Sequence, residues 1–122
     1  MTNEITAAKG EFKLDLTAAG LRVSDFVPER VTPPIVIINM GSPYLTPSSL
    51  SHEFLLNLEL VCVAATATNK QASEKLDDLI QATIQALPRY ARLVSVGQPY
   101  NLATNNTEFI AASIQTDVSI TI

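Results

Sequence analysis

Residues Glu53 to Ala65 read Glu-Phe-Leu-Leu-Asn-Leu-Glu-Leu-Val-Cys-Val-Ala-Ala, and this stretch constrains the fold more than any other. Phe54, Leu56, Leu58, Leu60 and Cys62 share one parity, while Glu53, Leu55, Asn57, Glu59, Val61 and Val63 share the other. A period of two predicts a strand, because successive side chains leave a strand on opposite faces. The even face is wholly apolar and requires a cover. Asn57 and Glu59 put solvent or a polar partner against the first half of the odd face. At about 3.3 Å per residue the strand spans roughly 40 Å, long enough to protrude from its own sheet.

The rest of the chain is read around this spine. Ile5, Ala8, Phe12, Leu16 and Ala19 recur at helical spacing, which predicts a helix over residues 3–19. Thr2 or Asn3 is placed to cap it, and Gly20 to end it. Leu21–Val27 is a short extended piece, and Pro33-Pro34 stiffens the loop that follows. Ile35–Met40 reads as a short strand buried on both faces. Gly41–Ser51, rich in Pro, Gly and Ser, reads as a long loop outside any ladder. Thr68 with Gln71 has the capping-box spacing. The stripe Ala72, Leu76, Leu79, Ile80, Thr83, Leu87 continues as a helix, which Pro88 ends. Leu93–Val96 is a short strand, the Gly97–Asn101 segment a turn, and Asn105-Asn106 a hairpin turn. Glu108–Ile122 alternates again, with Ile110, Ala112, Ile114, Thr116, Val118, Ile120 and Ile122 on one face. The expected architecture is α+β, one domain over residues 1–122, with a mixed, mainly antiparallel sheet and two helices packed on one face.

Composition narrows the function. The chain has 122 residues, 47% of them hydrophobic, which suffices for one core. Net charge is −4 and the Lys and Arg residues are scattered, which argues against a groove reader of DNA. Cys62 is the single cysteine, so no disulfide forms within the chain, and its parity predicts burial. The N-terminus lacks a signal-peptide pattern and no apolar run is long enough for a membrane helix, so a soluble protein is expected.

Catalytic and metal chemistry find few residues here. His52 is the only histidine, and on a strand it diverges from Glu53. No His or Cys pair has metal-ligand spacing. Ser42, Ser48 and Ser49 lack a nucleophile-elbow pattern, and Gly41 alone builds no phosphate loop. Asp77-Asp78 reads as a solvated helix face. The expectation is therefore a protein that is not an enzyme, without cofactor or metal. Pro43, Tyr44, Leu45, Pro47 and Leu50, apolar residues on a Pro- and Ser-rich segment, are the candidate interface residues.

The pattern Val27-Pro-Glu-Arg-Val-Thr-Pro-Pro, an apolar strand, Gly41-Ser-Pro-Tyr-Leu, a long strand, Asn69, the helix with Leu76-Asp-Asp-Leu-Ile, and Gly97-Gln-Pro-Tyr covers nearly the whole chain. It resembles the tail terminator proteins of long-tailed phages with non-contractile tails, most closely those from phages of actinobacteria. The resemblance implies a hexameric ring that caps the tail tube, stops its polymerisation and docks the head's connector. It implies contacts with other copies of the chain, with the tail tube protein and with the head–tail stopper. The genomic DNA would pass through the lumen without specific binding, no membrane would be involved, and assembly in the host cytoplasm would precede residence in the virion. An acidic lumen would repel the phosphates. Two rival readings are another ring protein of the same neck and a small cytosolic ligand-binding domain.

Overall fold

The computed structural model describes residues 3–25, 31–48, 52–66, 70–104 and 107–122. Helix α1 (Glu4–Ala18) begins where the Asn3 side chain accepts a 2.7 Å hydrogen bond from the Thr6 amide. It ends at Gly20, whose φ of 94° suits a residue without Cβ. Helix α2 (Lys70–Ala86) buries Ala72, Leu76, Leu79 and Thr83. The Thr68 cap, Asn69, Leu50 and the Asn105-Asn106 turn lie outside the described residues.

The strands are β1 (Val23–Ser24), β2 (Ile35–Pro47), β3 (Glu53–Thr66), β4 (Ala91–Val96), β5 (Tyr100–Thr104) and β6 (Thr107–Thr121). They form one mixed sheet in the order β1-β2-β3-β6-β4, with β5 also paired to β6. Among the described residues only the β1–β2 pairing is parallel, and it covers Val36 and Ile37 of β2. The α+β architecture with a mainly antiparallel sheet is as the patterns predict. The even face of β3 carries both helices: Phe12 and Leu16 of α1 and Leu76 and Leu79 of α2 join Leu56, Leu58, Leu60 and Cys62 in one buried cluster.

Four expectations are corrected. The strand β3 does not protrude, because β6 pairs with it from Glu53 to Thr66 and β2 from Phe54 to Val63. Gly41–Pro47 is not a loop but the second half of β2, with Leu45, Thr46 and Pro47 opposite Leu56, Leu55 and Phe54. The register jumps between Met40 and Leu45, so four residues of β2 stand opposite Asn57 alone. This bulge lets Tyr44 and its neighbour Leu45 both pack against the helix-side cluster, which regular alternation forbids. The expected turn at Gly97–Asn101 shortens to three residues: the Gly97 amide still donates to the Ser113 carbonyl at 2.7 Å, and Tyr100 already pairs in β5.

The fourth correction concerns Ile35–Met40, which is not buried on both faces throughout: Ile35–Ile38 are buried, but Asn39 and Met40 are exposed. The far face, polar along the first half of β3 as expected, is covered along its other half. Val31, Ile35, Ile37, Val61, Val63, Phe109 and Ala111 form a second buried cluster there, with Leu102 of β5 packed on it. Only the half of that face around Asn57, Glu59 and Gln115 is polar and partly exposed.

Candidate functional site

The polar half of the far face holds an open groove of about 320 Å³. Its floor is Leu55 and Asn57 of β3 with Gln115 and Asp117 of β6. One wall is Ser42 and Pro43 in the β2 bulge, and the other is Arg92 and Val94 of β4. Asn57 holds the first wall in place: its side-chain amide donates to the Pro43 carbonyl at 2.9 Å and to the Thr46 hydroxyl at 2.8 Å. Gly41 permits the close approach, since a Cβ there would lie 2.6 Å from the Asn57 carbonyl oxygen.

Arg92 secures the second wall. Its Nε donates to both oxygens of Asp117, at 3.2 and 3.0 Å, and its terminal nitrogen to one of them at 2.6 Å. These bonds and the carboxylate charge raise the Arg92 pKa above its ordinary value. The guanidinium head stays exposed while Asp117 is buried. Farther along the floor, Glu59 accepts from Ser113 at 3.4 Å and from Gln115 at 3.2 Å.

The groove is therefore polar but internally paired. Asp117 is engaged on both oxygens and is not poised as a general base. Among the described residues, no buried side-chain nitrogen or oxygen lacks a hydrogen-bond partner. Among the same residues, no three His, Cys, Asp or Glu side chains gather as metal ligands. His52 is exposed with φ of 66°, and its carbonyl accepts from the Ile122 amide at 2.7 Å. Asp77 and Asp78 are exposed on α2.

Cys62 is sealed under α2, with its sulfur 3.6 Å from the Thr83 hydroxyl. Burial pushes the thiol up from 9.0 to about 11, against a smaller lowering by the Thr83 contact. The folded chain keeps this proton longer than the unfolded one. The contribution to stability is thus intact below pH 9.0 and is lost as pH rises through about 11. Iodoacetamide at neutral pH should leave Cys62 unmodified in the native protein and alkylate it in denaturant. Equal alkylation rates in the two conditions would mean that α2 does not seal the thiol.

The proposed interface residues are not brought together as one exposed patch. Pro43 and Pro47 are exposed, whereas Tyr44 and Leu45 are half-buried on the helix side. The Lys9 ammonium lies 5.6 Å from the centre of the Tyr44 ring. The more exposed apolar side chains lie outside the expected interface segment. Leu14 on α1 is 71% exposed and Ile122 53%; on the strands stand Met40 on β2, 66% exposed, and Leu93, Val94 and Val96 on β4, between 40% and 54% exposed, with Tyr100 on β5 at 40%. Neither helix covers these strand positions. For Met40 and the β4 residues the signal in the sequence is a neutral apolar run in which both parities are apolar.

The fold and the groove define an α+β protein with one sheet face under helices and part of the other open. The chain matches no protein-family model and no curated protein. Among the described residues, no helix is long and apolar enough to cross a membrane.

Proposed function

We propose that the chain is a structural subunit of a phage tail neck, a tail terminator that forms a ring on the end of the tail tube. In this role it stops tube polymerisation and offers the surface on which the head's stopper or connector docks. It acts without catalysis or cofactor. The observation that carries the reading is the uncovered apolar strand β4, where Leu93, Val94 and Val96 stand exposed with no helix over them. An exposed apolar strand at a sheet edge is a ready surface for another chain. The resemblance of the Pro-Pro, Gly41-Ser-Pro-Tyr and Gly97-Gln-Pro-Tyr segments to tail terminators supplies the kind of assembly. The net charge of −4 suits a ring through which DNA passes without being gripped.

A small ligand-binding domain is less well supported. The apolar hollow under Tyr100 and Leu102 is about 120 Å³, below the few hundred Å³ that small-molecule pockets usually offer. The groove beside it is filled at its floor by groups that already satisfy one another.

The test is to add the purified protein to polymerising tail tube protein and image the product by negative-stain electron microscopy. Tubes that stop at a ring-capped end, and that then accept heads, are the expected result. Tubes of unchanged length with bare ends would refute the proposal.

A further inference from the structure

Arg92 is the only Lys or Arg on the six strands, and Asp117 holds it. The sheet therefore has no base to spare for its other carboxylates. One of these, Glu59, is half-buried midway along the central strand β3. It accepts from the Ser113 hydroxyl at 3.4 Å and from the Gln115 amide at 3.2 Å, both neutral groups. Among the described residues the ion pairs are Lys13–Asp25 and Arg92–Asp117, and neither involves Glu59. A carboxylate offers about four acceptor sites, so roughly half of those on Glu59 stay open. A cation that reaches it meets less screening water than at an open surface, which strengthens the pairing.

Glu59 also lines the hollow of about 120 Å³ on the far face. Val31, Ile37 and Val61 there are buried and apolar, and Leu102 packs on them. Tyr100, 40% exposed, adds an aromatic ring to the same lining. The hollow is several times what one water needs and smaller than the sites of whole small molecules. Its size suits a single side chain. Apolar walls, an aromatic ring and a carboxylate with spare acceptor sites together describe one kind of side chain: a long apolar stem that ends in a cation.

We propose that this hollow seats one lysine or arginine side chain of a different protein. The methylene stem lies against Val31, Ile37, Val61 and Leu102, as such stems do on apolar surface. The cationic head meets Glu59 and gains a second partner in the face of the Tyr100 ring. The occupant is a different protein and not a second copy, because identical copies each carry −4 and repel one another. The inference goes beyond the ring reading and does not depend on it.

The experiment uses the full chain and two end-blocked peptides, Gly-Ser-Lys-Ser-Gly and the same sequence with norleucine in place of lysine. Norleucine keeps the stem and lacks the ammonium. Binding is titrated by saturation-transfer NMR, which detects weak ligands of a single chain or of an assembly. The lysine peptide should bind saturably and about tenfold more tightly than the norleucine peptide, the factor that a hydrogen bond to a charged group supplies. Glu59→Gln should bring the lysine peptide down to the norleucine level and leave the norleucine peptide unchanged. Tyr100→Leu should weaken the lysine peptide alone, and it carries the test if Glu59→Gln melts early. Glu53→Gln, on the same strand but outside the hollow, should change neither peptide.

Equal binding of the two peptides by the wild type overturns the proposal. So does a preference for lysine that survives Glu59→Gln, or one that Glu53→Gln removes equally. Arg30 precedes Val31 in the sequence. Tighter lysine-peptide binding by Arg30→Ala would mean that this chain's own arginine competes for the seat. A multi-subunit mass that Glu59→Gln reduces to the single chain would put the base on a second copy. Either result overturns the assignment to a different protein.

Discussion

Leu60→Ala and Leu58→Ala should each cost about 2–5 kcal/mol of stability, the range for deleting a buried leucine side chain beyond Cβ and leaving a cavity. Both side chains are at most 1% exposed, pressed between the sheet and the helices. Leu55, on the opposite face of the same strand, is half-buried at the floor of the groove. Its truncation should cost markedly less, because its site can refill with water. Urea titration of the three variants makes the comparison. Equal shifts at Leu55 and Leu58 would mean that the helices do not hold the even face of β3.

A second large effect is expected at Gly41. A Cβ at this position would sit 2.6 Å from the carbonyl oxygen of Asn57 and 2.8 Å from both its carbonyl carbon and its Cβ. Two of these atoms are backbone of the central strand and do not swing aside. Gly41→Ala should therefore destabilise by about 1–3 kcal/mol, the range for forcing extra atoms into a packed site. Gly10→Ala is the control: nothing lies within 4 Å of a Cβ there. That change should stabilise α1 by about 0.5–1 kcal/mol, through helix propensity alone. Loss of stability at Gly10 as well would show that the Gly41 effect is not a local clash. No loss at Gly41 would mean that the bulge can shift away from Asn57.

The bulge also shows why the segment around it could not be read from composition. Pro43, Pro47, Ser42 and Gly41 each disfavour a regular strand, and locally they do break the ladder: four residues face one. What returns the chain to the sheet lies in β3. The Asn57 amide binds the Pro43 carbonyl and the Thr46 hydroxyl, and Phe54–Leu56 supply the ladder for Leu45–Pro47. Propensity describes a residue's own backbone, and here a partner eleven or fourteen positions away overrides it. The same reason moves Tyr44 and Leu45 from an expected free surface to the rim of the core.

By itself the sequence determined the elements whose cause is local. The alternation in β3 and β6, the helical stripes through Phe12 and Leu76, the Asn3 cap and the Gly20 stop each arise within a few residues of one another, and each is found in the fold. Burial of Cys62 followed from parity in the same way. Only the tertiary structure decided what covers Val61 and Val63, which share a parity with the half-exposed Asn57 and Glu59. Their cover comes from Val31, Phe109 and Leu102, brought over the far face by the sheet's order. Only the tertiary structure, too, left Leu93 and Met40 exposed. A side chain's face can be read from its neighbours along the chain, because the backbone repeats with a fixed period. Whether that face is covered depends on strands and helices distant in sequence, and periodicity carries no information about them.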